Sequence, residues 1–196
     1  MMHIIVALCC SVAAANETNQ DEAAFGTDVS IGYGLGTAMT EALEPNRYGN
    51  VLFRYDAFVR DRNTSGPRLG FGLWGAMTVG PTPSMTVVQP DGSSLRQEAP
   101  MVHTGIMTLL RHDPEAPIGG TFGMGFGRLS FESTPSGPLA LPALTIEAGG
   151  RHATGGNGFV DWMLRTHWAT QTEPVSQKLE DWWFIELSAS TGMHLR

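Results

Sequence analysis

The sequence predicts an all-β fold: an eight-stranded antiparallel up-and-down β-barrel that spans a membrane. The chain has 196 residues, enough for one domain. Apolar and polar residues alternate in eight segments, which clusters of Pro, Gly, Asn and Asp separate. Eight consecutive antiparallel strands leave two open edges unless the first strand pairs with the last. Closure into a barrel removes both edges.

The composition excludes several classes of protein. Hydrophobic residues make up 42% of the chain, which argues against intrinsic disorder. The net charge is -7, whereas a nucleic-acid-binding protein is expected to be basic, so no nucleic-acid partner is expected. No apolar run reaches the length of about 18 residues that a transmembrane helix needs.

Residues 1–15 are interpreted as a signal peptide, because a short apolar core ends there in small residues. A short buried strand or helix is the alternative. Cleavage would remove Cys9 and Cys10, the only cysteines, and with them any disulfide or thiol chemistry. Residues 16–27 then form an N-terminal segment and residues 28–196 the barrel domain.

The first four predicted strands cover residues 28–39, 50–60, 68–79 and 101–112. In the first three, apolar side chains occupy alternate positions: Val29, Ile31, Tyr33 and Leu35; Phe53, Tyr55, Ala57 and Val59; Leu69, Phe71, Leu73, Met77 and Val79. The fourth alternates poorly, because Met107 and Leu109 share the parity of His103 and Arg111.

The last four predicted strands cover residues 121–133, 139–152, 158–171 and 182–196. Their apolar faces are Phe122, Met124 and Phe126; Leu144, Ile146 and Ala148; Val160, Trp162, Leu164 and Trp168; Ile185, Leu187, Ala189, Met193 and Leu195. Arg128 has the parity of Phe126, so we expect it near a membrane interface or after a β-bulge.

Alternation alone does not say which face points outward. In a soluble lipocalin-like barrel the apolar face would enclose a small apolar ligand against Phe71, Leu73, Met124 and Phe126. Glycines on the less apolar face and a single lysine in the chain favour lipid outside, because a narrow lumen needs small residues and a solvated surface normally carries many lysines.

Charges of both signs share the less apolar face, and opposite charges can pair inside a packed lumen. The predicted lumen charge network is Arg54, Asp56, Arg60, Glu147, Arg151, Asp161, Arg165 and Glu186. A narrow polar pore is the alternative use of these residues. Aromatic residues near strand ends indicate an interfacial girdle, with ordinary packing at the strand edges as the alternative: Tyr48, Trp168, Trp182 and Trp183.

Residues 119–131, 144–152 and 182–196 resemble strands of the small outer-membrane β-barrel families of Gram-negative bacteria. The resemblance implies periplasmic termini, with residues 134–138 in an outer turn. It also implies contact with outer-membrane lipid, and with a protein or surface ligand through outer loops 40–49, 80–100 and 172–181. Inner turns would cover 61–67, 113–120 and 153–157. Residues 85–88 and 90–92 indicate a small hairpin in the longest outer loop.

His152 and Thr154 resemble the His-x-Ser-Asn arrangement of outer-membrane lipid hydrolases, but Glu147 lies on the opposite strand face and is poorly placed to orient the histidine. A glycine-rich turn explains this segment better, so no catalytic residue is expected. The histidines at 103, 112, 167 and 194 fall on four strands without metal-ligand spacing, so neither a metal nor a cofactor is expected. The favoured function is a structural or surface-interaction barrel; the alternatives are a soluble ligand-binding barrel and a lipid-modifying hydrolase.

Overall fold

The computed structural model describes residues 25–40, 47–59, 67–88, 91–112, 118–132, 138–172 and 179–195. Eight antiparallel strands close into a barrel, and two further strands form a separate hairpin. The predicted fold class is confirmed. Among these residues no helix is long and apolar enough to cross a membrane.

The strands follow one another around the barrel as a meander, with the hairpin inserted between the third and fourth barrel strands. They are β1 Phe25–Ala38, β2 Arg47–Val59, β3 Arg68–Thr78, β4 Ser84–Val88, β5 Ser94–Glu98, β6 Met101–Arg111, β7 Ile118–Phe131, β8 Leu139–Gly155, β9 Gly158–Thr172 and β10 Leu179–Leu195. Pairing of β1 with β10, from Thr27 opposite Leu195 to Ala38 opposite Phe184, closes the barrel. The β4–β5 hairpin confirms the prediction for the longest loop.

Several strands are longer than predicted. β1 begins at Phe25, within the predicted N-terminal segment, because residues 25–27 pair with the end of β2. β8 extends to Gly155, and Gly155 and Gly156 take positive φ angles of 102° and 60°, so the predicted loop 153–157 reduces to a tight turn. The predicted signal peptide lies outside the described residues.

The two faces of the barrel differ sharply in polarity. Large apolar side chains point outward; Phe126 is 71% exposed and Leu187 60%. The charged side chains Arg54, Glu147 and Arg165 are buried in the interior. The lipocalin-like alternative is therefore wrong, because the side chains expected to line its cavity, Phe71, Leu73, Met124 and Phe126, lie on the outside.

The exposed apolar side chains form a band around the barrel. On β7 the outward positions run from Ile118 to Arg128 through Phe122, Met124 and Phe126. Ten residues of strand span about 34 Å. Because the strands of such barrels tilt by about 35–45° from the barrel axis, this length corresponds to a height of about 25 Å along the axis. That is the height of the apolar band of outer-membrane barrels. Arg128 stands at one edge of the band, as its parity predicted.

The end of the barrel from which residues 80–100 emerge is called here the hairpin end, and the opposite end, where β1 begins and β10 ends, the terminal end. The hairpin is tied to the barrel by its base. The Tyr33 hydroxyl donates to the Gly80 carbonyl at 2.9 Å, and the Gly49 amide donates to the Pro81 carbonyl at 3.0 Å. The Gly49 carbonyl accepts from the Val79 amide at 2.8 Å.

Gly49 permits this attachment, because a Cβ at this position would overlap the Tyr33 hydroxyl and the Gly80 carbonyl. We expect Gly49→Ala to weaken two or three hydrogen bonds of about 0.5–1.5 kcal/mol each. Trypsin should then cleave the hairpin at Arg96 roughly tenfold faster. Gly75→Ala is the matched control, since a Cβ there has no neighbour closer than 3.8 Å. Equal cleavage rates for both variants would contradict this role of Gly49.

Candidate functional site

The centre of the lumen is occupied by ion pairs. Arg165 on β9 donates to Glu186 at 2.9 Å through Nη1 and to Glu147 at 3.0 Å through Nη2. These residues meet because β8 and β10 flank β9 in register, with Glu147 and Glu186 both opposite Arg165. The Asn50 amide donates to the second oxygen of Glu186 at 2.7 Å. All four side chains are buried.

A second group of pairs extends from Glu147 across the barrel. Arg54 on β2 bonds Glu147 and, at 2.7 Å, Asp56. Asp56 also accepts from Arg111 of β6 at 2.9 Å, and Arg111 reaches on to Asp28 of β1. The Arg54–Asp56 pair lies within β2, and the other contacts join strands that are not neighbours in the sheet, so they connect different walls of the barrel.

The terminal end of the lumen contains the last pairs. Arg151 forms a bidentate pair with Asp161 at 2.6 and 2.7 Å and also contacts Asp28. His194 Nδ1 lies against the other oxygen of Asp28. The guanidinium of Arg151 stacks 3.3 Å from the centre of the Phe159 ring, a cation–π contact.

These contacts form one continuous lumen charge network. Its members are Asp28, Arg54, Asp56, Arg111, Glu147, Arg151, Asp161, Arg165 and Glu186. It contains one more carboxylate than guanidinium groups, and His194 lies beside it. Mutual pairing is what makes burial of so many charges tolerable in a medium of low dielectric.

Inward glycines provide the room for these side chains, as the sequence predicted. A Cβ would lie 2.8 Å from Glu186 if added at Gly34, and 2.7 Å from Asp56 if added at Gly72. Gly34 and Gly72 therefore leave space that the side chains of Glu186 and Asp56 occupy.

The hairpin end of the lumen is filled by an apolar plug. Its members are Ala38, Tyr48, Met85, Ala99, Met101, Leu129, Phe131, Leu141, Ala143, Ala169, Trp182 and Phe184. Met85 belongs to β4, so the base of the hairpin contributes to the plug. The predicted girdle is wrong for Tyr48 and Trp182, which have inward parity and are buried. Trp168 and Trp183 are exposed and stack with ring centres 5.8 Å apart.

Two histidines lie between the plug and the ion pairs. The rings of His103 and His167 are 4.3 Å apart, and Trp74 lies 5.2 Å from His167. The Thr145 hydroxyl and His167 Nδ1 are hydrogen-bonded at 2.9 Å. The sequence had placed these histidines on separate strands, and barrel closure brings them together. In the described part of the chain, no group of three or more potential ligands could hold a metal ion.

Neither a family model nor a curated protein sequence matches the chain. Solved structures do match. The attachment invasion locus protein Ail of Yersinia pestis, in complex with the heparin analogue sucrose octasulfate, is 14% identical with a TM-score of 0.51; the match covers 87% of this chain and 98% of Ail. Neisserial surface protein A is 12% identical with a TM-score of 0.52, covering 87% of this chain and 97% of that protein.

The chain has the fold of the small outer-membrane β-barrels. The resemblance found in the sequence is therefore confirmed at the level of fold. The exposed apolar band agrees with it, since a barrel of this class presents such a band to lipid.

The structure brings together most of the sequence-predicted network of this outer-membrane-type barrel. Arg60 lies outside the described residues; the other predicted members all join the network. Asp28, Arg111 and His194 were missed. Arg111 could have been found from the sequence, because it alternates in phase with Met107 and Leu109, and all three point inward from β6. Asp28 carried no clear signal, because it stands at the predicted start of the first strand, before the alternation is established.

The weak catalytic candidates are not brought into a catalytic arrangement. His152 and Thr154 are exposed near the terminal end of β8. Glu147 is inside the lumen, bound to Arg54 and Arg165, so it cannot orient His152. Within the described ranges no hydrogen bond joins His152 to a hydroxyl or a carboxylate, which the hydrolase alternative would need.

The pairing of Arg151 with Asp161 can be tested by comparing a single variant with a double variant. Arg151→Leu leaves Asp161 buried without its arginine, so we expect a loss of about 3–5 kcal/mol in the free energy of unfolding. Arg151→Leu with Asp161→Leu should lose less, because the uncompensated carboxylate is gone. Urea unfolding in lipid vesicles measures both, with Arg128→Leu on the exterior as a control. A double variant at least as unstable as the single variant would contradict the pairing.

Proposed function

We propose that this protein is a closed outer-membrane barrel that acts at the cell surface through its hairpin end and does not conduct solutes through its lumen. One observation supports the proposal: buried side chains follow one another through the described interior from one end to the other. The apolar plug, the His103–His167 layer and the lumen charge network follow one another along the barrel axis. The interior of an eight-stranded barrel is just wide enough for its side chains to fill.

The proposed orientation has the terminal end in the periplasm and the hairpin end outside. The longest connection, between β3 and β6, emerges at the hairpin end, while β8 and β9 are joined at the terminal end by a tight turn. Long outer loops and short periplasmic turns are the usual arrangement in this class. β1 ends and β2 begins at the hairpin end, as do β9 and β10, although the connecting residues 41–46 and 173–178 lie outside the described residues.

The β4–β5 hairpin is the best-defined candidate for contact with a partner. Residues 91–96 are exposed, including the apolar Leu95 at 54%. Its base is held by hydrogen bonds to β1 and β2 and by Met85 in the plug. A rigid barrel that positions an exposed loop is a common platform for binding.

The fold of Ail provides a precedent for a surface ligand, since Ail was crystallised with a heparin analogue. The hairpin of this chain is not a cationic surface, because Arg96 is accompanied by Asp91 and Glu98. The proposed partner is therefore a protein or glycan surface recognised by shape and apolar contact around Leu95.

A hairpin replacement tests the proposal. Bacteria carrying a variant in which Gly-Gly replaces residues 85–97 should attach to a mammalian cell layer or a glycan-coated surface less well than bacteria carrying the unaltered protein. The matched control is Asn157→Ala in the β8–β9 turn, at the opposite end of the barrel. Both variants must show the gel migration of a folded barrel. Equal attachment of the unaltered and hairpin-replaced proteins would contradict the proposal.

A further inference from the structure

The lipid-facing surface has a depression at the terminal end of the apolar band. It crosses β6 to β9, has a volume of about 520 Å³ and is open toward the surroundings of the barrel. Gly120 and Ala148 form its floor, where outward side chains are absent or short. Leu110 and Phe122 form one wall and Trp162 and Leu164 the other.

Strand register explains the shape of this groove. One outward row consists of Leu110, Phe122, Ala148 and Leu164, which pair across consecutive strands. In the adjacent row Gly120 lies opposite Gly150, and Gly150 lies opposite Trp162. The Trp162 indole rests over Gly150, since a Cβ added there would lie 2.8 Å from the ring. The first row is thus interrupted by Ala148 on β8 and the second by Gly120 on β7, while the Trp162 indole covers Gly150.

The dimensions favour a single extended hydrocarbon chain as the occupant. The outermost side chains of the walls stand on β6 and β9, whose backbones are three inter-strand spacings or about 14 Å apart, and these side chains narrow the space between them. The floor covers two outward rows about 7 Å apart. A helix with its side chains is about 10–12 Å across and is too wide for this slot. A flexible chain can follow the floor and make close van der Waals contacts with it, which a rigid helix could not make.

The position of the groove adds a polar contact. His112 lines it, and the His112 amide donates to the Gly120 carbonyl at 2.9 Å, which places this residue at the strand end. His152 lies on the next outward row, opposite Ile118. The groove therefore opens where the apolar band ends, and an imidazole stands at that boundary. A molecule that fits has an apolar chain joined to a polar, hydrogen-bonding head.

We propose that this groove is a binding site for one phospholipid of the periplasmic leaflet, with an acyl chain over Gly120 and Ala148 and the phosphate at His112. The groove is continuous with the lipid-facing band, so the ligand enters laterally from the bilayer. The site lies at the opposite end of the barrel from the hairpin and does not depend on what the hairpin binds.

Two glycines make a matched pair of test variants. A Cβ at Gly120 meets nothing closer than 3.9 Å, so we use Gly120→Leu to add bulk to the groove. Gly75 faces outward on β3, away from the groove, and a Cβ there meets nothing closer than 3.8 Å, so Gly75→Leu adds the same bulk elsewhere. Ala148→Leu fills the same groove from β8 and serves if Gly120→Leu fails to fold.

Native mass spectrometry of the full-length protein in mild detergent, titrated with palmitoyl-oleoyl phosphatidylglycerol, measures the binding. The unaltered protein and Gly75→Leu should each retain one phospholipid with equal affinity. Gly120→Leu and Ala148→Leu should bind at least about tenfold more weakly, and His112→Ala several-fold more weakly.

Three results would overturn the proposal. In the first, the unaltered protein retains no lipid. In the second, Gly120→Leu and Gly75→Leu retain lipid equally. In the third, the unaltered protein forms a dimer that Gly120→Leu dissociates. The last would mean that a second copy occupies the groove. Attachment through the hairpin is measured separately, so failure of one proposal leaves the other standing.

Discussion

Mutual neutralisation of buried charges is the constraint on which the rest of this structure depends. An isolated guanidinium or carboxylate inside a barrel loses its hydration and has little to replace it. Here every arginine of the lumen charge network touches at least two carboxylates: Arg165 bonds Glu147 and Glu186, and Arg111 bonds Asp28 and Asp56. Since the partners come from different walls, the network also fixes the strands relative to one another.

The exterior follows from the same constraint. A chain that places its charges inside must expose its other strand face, and in period-two strands that face is apolar. Barrels of this fold class present such a surface to lipid. The inward glycines belong to this arrangement, because Gly34 and Gly72 leave space for Glu186 and Asp56. The apolar exterior and the charged interior are thus two consequences of the same alternation.

Much of the fold could be predicted from the sequence, because period-two alternation is a local property. All eight barrel strands were located, and the parity of Arg54, Glu147 and Arg165 identified the inner face. The ends of the strands were harder to predict, because a neighbouring strand that supplies hydrogen bonds extends a strand as far as a glycine such as Gly155. The girdle prediction is wrong for Tyr48 and Trp182, because their inward strand parity decides their position and not the preference of aromatic residues for a membrane interface. The contact of His103 with His167 could not be predicted, as it depends on barrel closure and register. The outward groove also depends on the register that sets Gly120 beside Gly150.

Ion conductance through a planar lipid bilayer tests the filled lumen most directly. The protein is first shown to be folded by its altered gel migration without boiling, and a porin in the same bilayer serves as a positive control. A lumen occupied by the charge network and closed by the apolar plug predicts no single-channel currents at moderate voltage. Stable, reproducible current steps from the folded protein would show a continuous aqueous path and would contradict this account of the interior.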